Sequence, residues 1–402
     1  MELSRRDIVL LFAARSIRLF AYGALSVVLA LYLSELSLTG SQIGLLFTLT
    51  LAGDAAISLR ITTLADRLGR KRMLILGAGL MLMAGVVFSL TGDPVLLMIA
   101  GIIGVISPSG NEIGPFLSIE QAALSQLLPQ EKRTRVFAWY NLAGSLAAAC
   151  GALVGGFLSR GLMLAGFSEL ASYRGVILLY AACGAALFAF FLFLSPAVEA
   201  VAVASTGKRV LGLHASRGIV MKLSSLFALD AFAGGFIIQS MIAYWFHVKF
   251  NLDAGLLGSI FFGANILAGV SALLAVRIAA RIGLINTMVF THIPSNVLLC
   301  LVPLMPTVGL AVFMLLVRFS ISQMDVPTRQ SYTMAVVAPD ERSAAAGVTG
   351  IARSIGASIS PALAGAMLAS TTFLSAPFFL AGGLKIVYDL LLYRSFSKAD
   401  IR

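Results

Sequence analysis

Long, unbroken apolar runs recur from one end of this 402-residue chain to the other. A run of about 20 apolar residues is what an α-helix needs to cross the hydrocarbon core of a bilayer. Hydrophobic residues make up 59% of the chain and charged residues only 12%, which leaves too little polar surface for a water-soluble particle. Because membrane β-strands alternate apolar and polar residues, the continuous runs also argue against a transmembrane β-barrel.

The runs predict an all-α membrane protein with twelve transmembrane helices. Short loops separate the runs and contain most of the charged residues. An even number of spans places both termini on the same side of the membrane. The predicted spans cover residues 8–34, 41–64, 72–91, 94–128, 136–159, 174–195, 220–246, 255–276, 284–304, 308–337, 345–369 and 374–393.

The basic residues of the loops indicate which side that is. Nineteen of the 29 Lys and Arg residues lie on one predicted face, against three on the other: Arg160, Arg174 and Lys249. Cytoplasmic loops carry such an excess of basic residues. The asymmetry predicts cytoplasmic N and C termini, and it explains the net charge of +11 without a nucleic-acid partner. We expect a multi-pass protein of the cell (cytoplasmic or inner) membrane.

The chain divides near its middle at its longest hydrophilic connection. We predict an N-terminal six-helix bundle over 1–195, a cytoplasmic linker loop over 196–219 and a C-terminal six-helix bundle over 220–402. The two halves also show weak internal similarity, for example between Pro129–Lys132 and Pro339–Arg342. Parallel repetition of a six-helix unit suggests two bundles with a binding site between them near the middle of the membrane.

The loop after the second span carries a recognisable motif. It reads Leu-Ala-Asp-Arg-Leu-Gly-Arg-Lys-Arg over residues 64–72, with Asp66, Arg67, Gly69 and Arg70 at its centre. This loop resembles the signature between the second and third helices of the major facilitator superfamily. The resemblance implies two pseudo-symmetric bundles and a monomeric secondary transporter that works by alternating access.

The same loop is a candidate cytoplasmic gate. Asp66 lies among basic residues, where its carboxylate could accept charge-assisted hydrogen bonds from a basic side chain or from backbone amides. Such a contact would close the cytoplasmic side in one conformation and break in the other. The alternative is a basic loop that only sets the topology.

The fifth span carries small residues at a spacing that favours close helix packing. Gly151, Gly155 and Gly156 partly match the antiporter motif of this family, with Ala152 in place of its proline. Small residues of this kind let two membrane helices approach closely. The partial match favours the drug/proton-antiporter-like branch.

Ionisable residues inside the predicted spans are the candidate site residues, because a charge in the membrane is costly unless it is paired or hydrated. Arg18 lies about 15 Å into the first helix. The repeat aligns it with Asp230 of the seventh span, which suggests a salt bridge between the bundles or a substrate-binding pair. Asp54 of the second span is a lone carboxylate, and burial disfavours its charged form. Asp54 is therefore a candidate proton site, or else a partner for a basic group.

The fourth span contains two prolines and two glycines over residues 107–115, which predict a break or a kink. Broken membrane helices are tolerated where they line a cavity. We therefore expect Glu112 to face the cavity as a proton or substrate group, with Asn111 beside it as a substrate ligand. Glu120, nearer the cytoplasm, is predicted to be a gate or a packing carboxylate.

The tenth span holds Arg318, Ser322, Asp325 and Arg329 at steps of four, three and four residues. On a continuous helix these steps place all four side chains on one face. Such a polar stripe has to face protein or water. We predict Asp325 as a proton site and Arg318 and Arg329 as substrate ligands or counter-charges, with Arg353 of the eleventh span in the same role.

These features predict a transporter that moves a small organic solute across the lipid bilayer, and we favour proton-coupled efflux with the three acidic candidates as proton sites. The alternative is uptake or facilitated transport of a small organic anion, which the buried arginines favour. A membrane-embedded enzyme or receptor is a weaker alternative, because nucleotide-binding and nucleophile motifs are absent from the sequence. The three histidines lack metal-ligand spacing. We expect no catalytic residue, no metal and no cofactor.

Overall fold

The structure is a computed structural model that describes residues 2–112, 114–199, 213, 215–338 and 341–396. The described residues form fifteen α-helices and two short 3₁₀-helices, with no strand among them. Ten of the helical segments described are long and apolar enough to cross a membrane. The predicted all-α membrane class is therefore confirmed.

The chain folds into two compact units. The first contains the described residues of Met1–Val203 together with Gln239–Phe262, and the second contains those of Ala204–Ile238 and Gly263–Arg402. The segment Gln239–Phe262, which the sequence places in the C-terminal bundle, thus packs within the first unit.

The helices of the first unit include the first six predicted spans and the end of the seventh. They are α1 (Glu2–Glu35), α2 (Gly40–Leu68), α3 (Arg70–Leu90), α4 (Pro94–Ile103), α5 (Phe116–Leu127), α6 (Gln130–Leu164), α7 (Glu169–Leu192) and α9 (Gln239–Phe250).

The helices of the second unit cover the remaining predicted spans. One helix, α10, passes from the first unit into the second after Phe262. The full set is α8 (Arg217–Gly235), α10 (Ala254–Ile282), α11 (Leu284–Leu301), α12 (Val308–Phe319), α13 (Asp325–Val336), α14 (Arg342–Leu368) and α15 (Ala376–Phe396).

The predicted break in the fourth span is confirmed. Helix α4 ends at Ile103, and α5 begins only at Phe116. The glycines of the intervening segment adopt the left-handed backbone that favours glycine, with φ of +69° at Gly110 and +83° at Gly114. A backbone hydrogen bond of 3.1 Å from Ser240 N to Pro108 O ties this segment to α9.

The tenth span is also broken, which the sequence reading did not predict. Helix α12 ends at Phe319, and α13 begins at Asp325. Pro327 in the first turn of α13 has no backbone N–H, and its ring crowds the preceding turn, so the helix does not continue upstream. The predicted single polar face is therefore wrong, since Arg318 and Arg329 lie on two different helices.

The seventh span is interrupted as well, between Gly235 at the end of α8 and Gln239 at the start of α9. Gly234 and Gly235 precede the interruption, and glycine is a poor helix former. Gln239 Nε2 donates to Ser26 Oγ at 2.8 Å, which fastens the beginning of α9 to α1. The predicted continuous span over 220–246 is thus two helices.

The glycines of α6 lie where this helix contacts its neighbours. A Cβ on Gly151 would collide with the backbone of Phe20, and one on Gly155 would lie 2.7 Å from the Cα of Ala24, both on α1. Gly156 faces Gly258 of α10 in the same way. The close approach of α1 and α6 holds the buried charges of α1 in place.

Candidate functional site

A buried ion-pair network joins α1 to the interrupted fourth span. Arg18 Nε donates to Glu112 Oε1 at 2.8 Å, and its two terminal nitrogens donate to Glu120 at 2.8 and 2.7 Å. Arg15 Nη1 lies 2.8 Å from the other oxygen of Glu112. Two guanidinium groups thus face two carboxylates, and Glu112 is shared between both arginines.

Aromatic rings complete this network. The Tyr140 hydroxyl donates to Glu120, and the Arg18 guanidinium lies 4.6 Å from the centre of the Phe116 ring. Arg15 lies over the Tyr140 ring at 4.5 Å and donates to Asn141 Oδ1 at 3.2 Å. Neighbouring side chains therefore contact both arginines from several sides, which restricts how far either can move.

Asp54 has a different environment from the other predicted proton sites. Its partly buried carboxylate accepts a 3.2 Å hydrogen bond from the hydroxyl of Ser58. Within the described part of the chain it has no ion-pair partner. Glu112 and Asp325, in contrast, both contact arginine. Asp54 is thus a carboxylate that can accept a proton without breaking an ion pair.

Asn111 lies in the non-helical segment between α4 and α5, with its side chain exposed. Its backbone is held by Ser107 Oγ, which donates to Asn111 O at 2.8 Å, and by Ser109 Oγ, which accepts from Asn111 N at 3.3 Å. The segment therefore presents the amide of Asn111 from a fixed backbone.

Asp230 on α8 is the centre of a second buried network, in the second unit. Its carboxylate lies 2.5 Å from Lys385 Nζ, 3.1 Å from Arg329 Nη1 and 3.3 Å from Arg353 Nη1. Arg329 also pairs with Asp325 at 2.9 Å. One aspartate thus joins α8, α13, α14 and α15.

Arg18 and Asp230, which the repeat suggested as a salt-bridge pair, each find partners within their own unit. Arg18 pairs with glutamates of the first unit, and Asp230 with cations of the second.

Arg318 differs from the other basic residues of this region. It is 8% exposed, and its Nε has no hydrogen-bond partner. No carboxylate among the described residues lies within ion-pair distance of Arg318, and its ring contact is with the neighbouring Phe319 at 5.1 Å. Ser322, in the turn between α12 and α13, also has a buried hydroxyl without a partner.

Three polar residues in or next to the Asp230 network were not predicted from the sequence. These are Lys385, which binds Asp230 directly, and the pair formed by His292 of α11 and Asp389 of α15, whose Nδ1 and Oδ1 lie 2.8 Å apart. Asn296 Nδ2 donates to the other oxygen of Asp389 at 3.2 Å. The available signal was the spacing of Lys385 and Asp389, four residues apart in an apolar span, because intramembrane charges occur in partnered groups.

The basic loop between α2 and α3 is anchored to the segment after α7. Gly69 adopts φ of +104° at the turn, and the backbone N–H groups of Arg70 and Lys71 donate to the Glu199 carboxylate at 2.6 and 3.3 Å. Arg67 is exposed, and the side chain of Asp66 lies outside the described residues. The gating role of this loop stays a prediction.

Comparisons with known proteins define the family. The Major Facilitator Superfamily model matches residues 11–361, so the chain belongs to this superfamily of membrane transporters. It is 30% identical to YJR124C, an uncharacterized membrane protein of Saccharomyces cerevisiae, over 99% of this chain and 95% of that one.

Two further similarities are limited, one in the length that it covers and the other in sequence identity. The chain is 27% identical to the quinolone resistance protein NorA of Staphylococcus aureus over 138 residues, which is 34% of each chain. A crystal structure of a mutant nucleoside transporter, NupG, superimposes with a TM-score of 0.78 at 16% identity, over 97% of this chain and 99% of the other. The superposition shows the fold, and the family points to a transporter rather than an enzyme.

Proposed function

We propose that this protein is a secondary active transporter that exports a small organic solute in exchange for protons. Alternating access of two six-helix bundles, over 1–195 and 220–402 with 196–219 as the cytoplasmic linker, would move the solute. Membership of the superfamily supports this mechanism, as does a buried charge network within each unit. Intramembrane ionisable groups mark ion and substrate pathways.

The proposed topology has twelve spans with cytoplasmic N and C termini. In this topology α4 with α5 forms the fourth span, and α12 with α13 forms the tenth. The excess of basic residues on one predicted face supports the orientation. We place the protein in the cell (cytoplasmic or inner) membrane and expect it to work as a monomer.

Asp54 is the proposed proton site, and its lack of an ion-pair partner in the described part of the chain carries this choice. Protonating Glu112 would disrupt its contacts with two arginines, and protonating Asp325 would disrupt its contact with Arg329. Glu112 and Asp325 then serve as counter-charges that position these arginines. Protonation of Asp54 removes its charge with the smallest loss of native contacts.

The export direction is supported by the similarity to the quinolone resistance protein NorA over one third of the chain, because removing a drug from the cell is one way to resist it. The Asp66 loop is the proposed cytoplasmic gate, because its backbone amides are already bound by a carboxylate that follows the last helix of the first bundle. Asn111, at the break of the fourth span, is a proposed substrate ligand.

The test is internal pH in proteoliposomes under an imposed proton gradient, with organic anions and lipophilic cations added in turn. Solute-dependent proton flux is expected in the natural protein, and its sign distinguishes export from uptake. Asp54→Asn should abolish this flux, whereas Glu35→Gln, at an exposed carboxylate of α1, should leave it unchanged.

Solute transport that proceeds without proton flux, in the natural protein and in Asp54→Asn alike, would contradict the coupling. A flux that Glu112→Gln abolishes, but that survives in Asp54→Asn, would move the proton site to Glu112.

A further inference from the structure

One buried cation of the second unit has no ion pair with a described residue. Three basic residues of this unit are buried, namely Arg318, Arg329 and Lys385, and two of them pair with Asp230. Arg353, which is partly exposed, also contacts Asp230.

The buried basic residue without an ion pair is Arg318. Asp230 binds Arg329, Arg353 and Lys385, and Asp325 binds Arg329, so both carboxylates are engaged. No ion pair joins the Arg318 side chain to a described residue, and its Nε has no hydrogen-bond partner, although the residue is only 8% exposed. An unpaired buried charge is among the most costly groups that a folded protein can contain.

A second unsatisfied group follows Arg318 four residues along the chain. Arg318 is in the last turn of α12, and Ser322 lies in the turn that separates α12 from α13. The Ser322 hydroxyl, like Arg318 Nε, is buried and has no partner. Two unsatisfied donors at a helix break are what a site for an external acceptor requires, because broken membrane helices bind substrates through groups freed at the break.

We infer that the break between α12 and α13 binds a negatively charged group of the transported solute, a carboxylate or a phosphate. The Arg318 guanidinium is its ionic partner, and the Ser322 hydroxyl is a second donor. A guanidinium suits this role, because its fork of N–H groups matches the two oxygens of such an anion. This inference rests on the proposed transport function and specifies the chemical class of its solute.

A structural role for Arg318 predicts the opposite response to mutation. If Arg318 stabilised the fold, Arg318→Gln would lower the melting temperature of the ligand-free protein. If Arg318 instead serves to bind an anion, its replacement removes an unpaired buried charge from the ligand-free protein. The melting temperature should then stay the same or rise. Arg329→Gln, at an arginine that pairs with two aspartates, should lower it.

Thermal unfolding of the full chain in detergent, without an ion gradient, tests the site. The probes are benzoate, succinate and inorganic phosphate at matched ionic strength, with benzamide as the uncharged analogue of benzoate. At least one anion should raise the melting temperature, and benzamide should not. Arg318→Gln should weaken the apparent affinity for that anion at least about tenfold, the loss expected for a charge-assisted contact. Arg318→Lys should retain part of it.

The matched control is Arg277→Gln, at an exposed arginine of α10 in the same unit. An equal loss in this variant would show non-specific attraction and overturn the site. Stabilisation by anions that is unaffected in Arg318→Gln would also overturn it.

A lipid phosphate has the same chemistry as a solute phosphate. Thermal unfolding is therefore also measured with vesicles of phosphatidylglycerol in place of the soluble anions. Stabilisation that depends on Arg318 but occurs only with this lipid would overturn the assignment to a solute. Because binding is measured without a proton gradient, a failure of proton coupling at Asp54 leaves this result intact. A failure of anion binding, in turn, leaves the proposed coupling intact.

Discussion

The Arg18 guanidinium and the Glu120 carboxylate form a two-point ion pair, with N–O distances of 2.8 and 2.7 Å, and both side chains have no exposed surface. The pair connects α1 with α5, the helix that follows the break in the predicted fourth span. The pair compensates two fully buried charges, and Glu112 provides Arg18 with a second carboxylate contact.

Glu120→Gln should therefore destabilise the first unit. Loss of Glu120 leaves one carboxylate, Glu112, for the two guanidinium groups of Arg15 and Arg18, and breaking a buried ion pair in this way costs about 3–5 kcal/mol. The measurement is the free energy of unfolding in detergent, or the fall in melting temperature. Glu35→Gln, at an exposed carboxylate on α1, is the control and should change little. Equal effects of the two substitutions would count against a structural ion pair.

Asp230→Asn should lower the free energy of unfolding of the second unit more than the loss of any one partner of Asp230. It removes the carboxylate that Lys385, Arg329 and Arg353 share. Adding Lys385→Met to Asp230→Asn should recover part of the stability, because one of the stranded positive charges is removed. A double-mutant cycle on free energies of unfolding measures the coupling between Asp230 and Lys385, which we expect to exceed about 1 kcal/mol. Strictly additive effects would show that the 2.5 Å contact contributes no coupling energy.

The two glycines Gly151 and Gly161 of α6 should respond in opposite ways to replacement by alanine. A Cβ at Gly151 would overlap the backbone of Phe20, so Gly151→Ala should cost about 1–3 kcal/mol through overpacking. A Cβ at Gly161 meets nothing within 4 Å, so Gly161→Ala should be neutral or should stabilise the helix by about 0.5–1 kcal/mol. Thermal unfolding of both variants compares them directly. Similar losses at both positions would indicate that helix propensity, and not the contact with α1, decides the outcome.

Several features of the protein could be predicted from local sequence, because the bilayer imposes strong rules on it. Apolar length predicted the helical membrane class, and the loop around Asp66 indicated the family that the comparisons confirm. The prolines and glycines near Glu112 predicted the break between α4 and α5, because the backbone limits of these two residue types act within a single turn. Structural constraints that act within a few residues can be predicted from a short stretch of sequence.

The sequence also identified most of the buried charges, since an ionisable residue in an apolar run stands out by composition alone. It determined that Arg18, Glu112, Asp230 and Arg329 needed partners, because an unpaired charge is too costly in this environment. Which partner each would find was a separate question, and Arg18 and Asp230 each have partners within their own unit.

Only the tertiary structure decided the pairing. Arg18 meets Glu120 across 102 residues of chain, and Asp230 meets Lys385 across 155. Contacts at such separations depend on how whole helices pack, and no local pattern encodes that arrangement. The same packing left Arg318 and Asp54 without an ionic partner among the described residues, because the charges around them were used elsewhere. The sequence determined which side chains were costly to bury, and the packing of the helices decided which of them remained available to bind an ion or a solute.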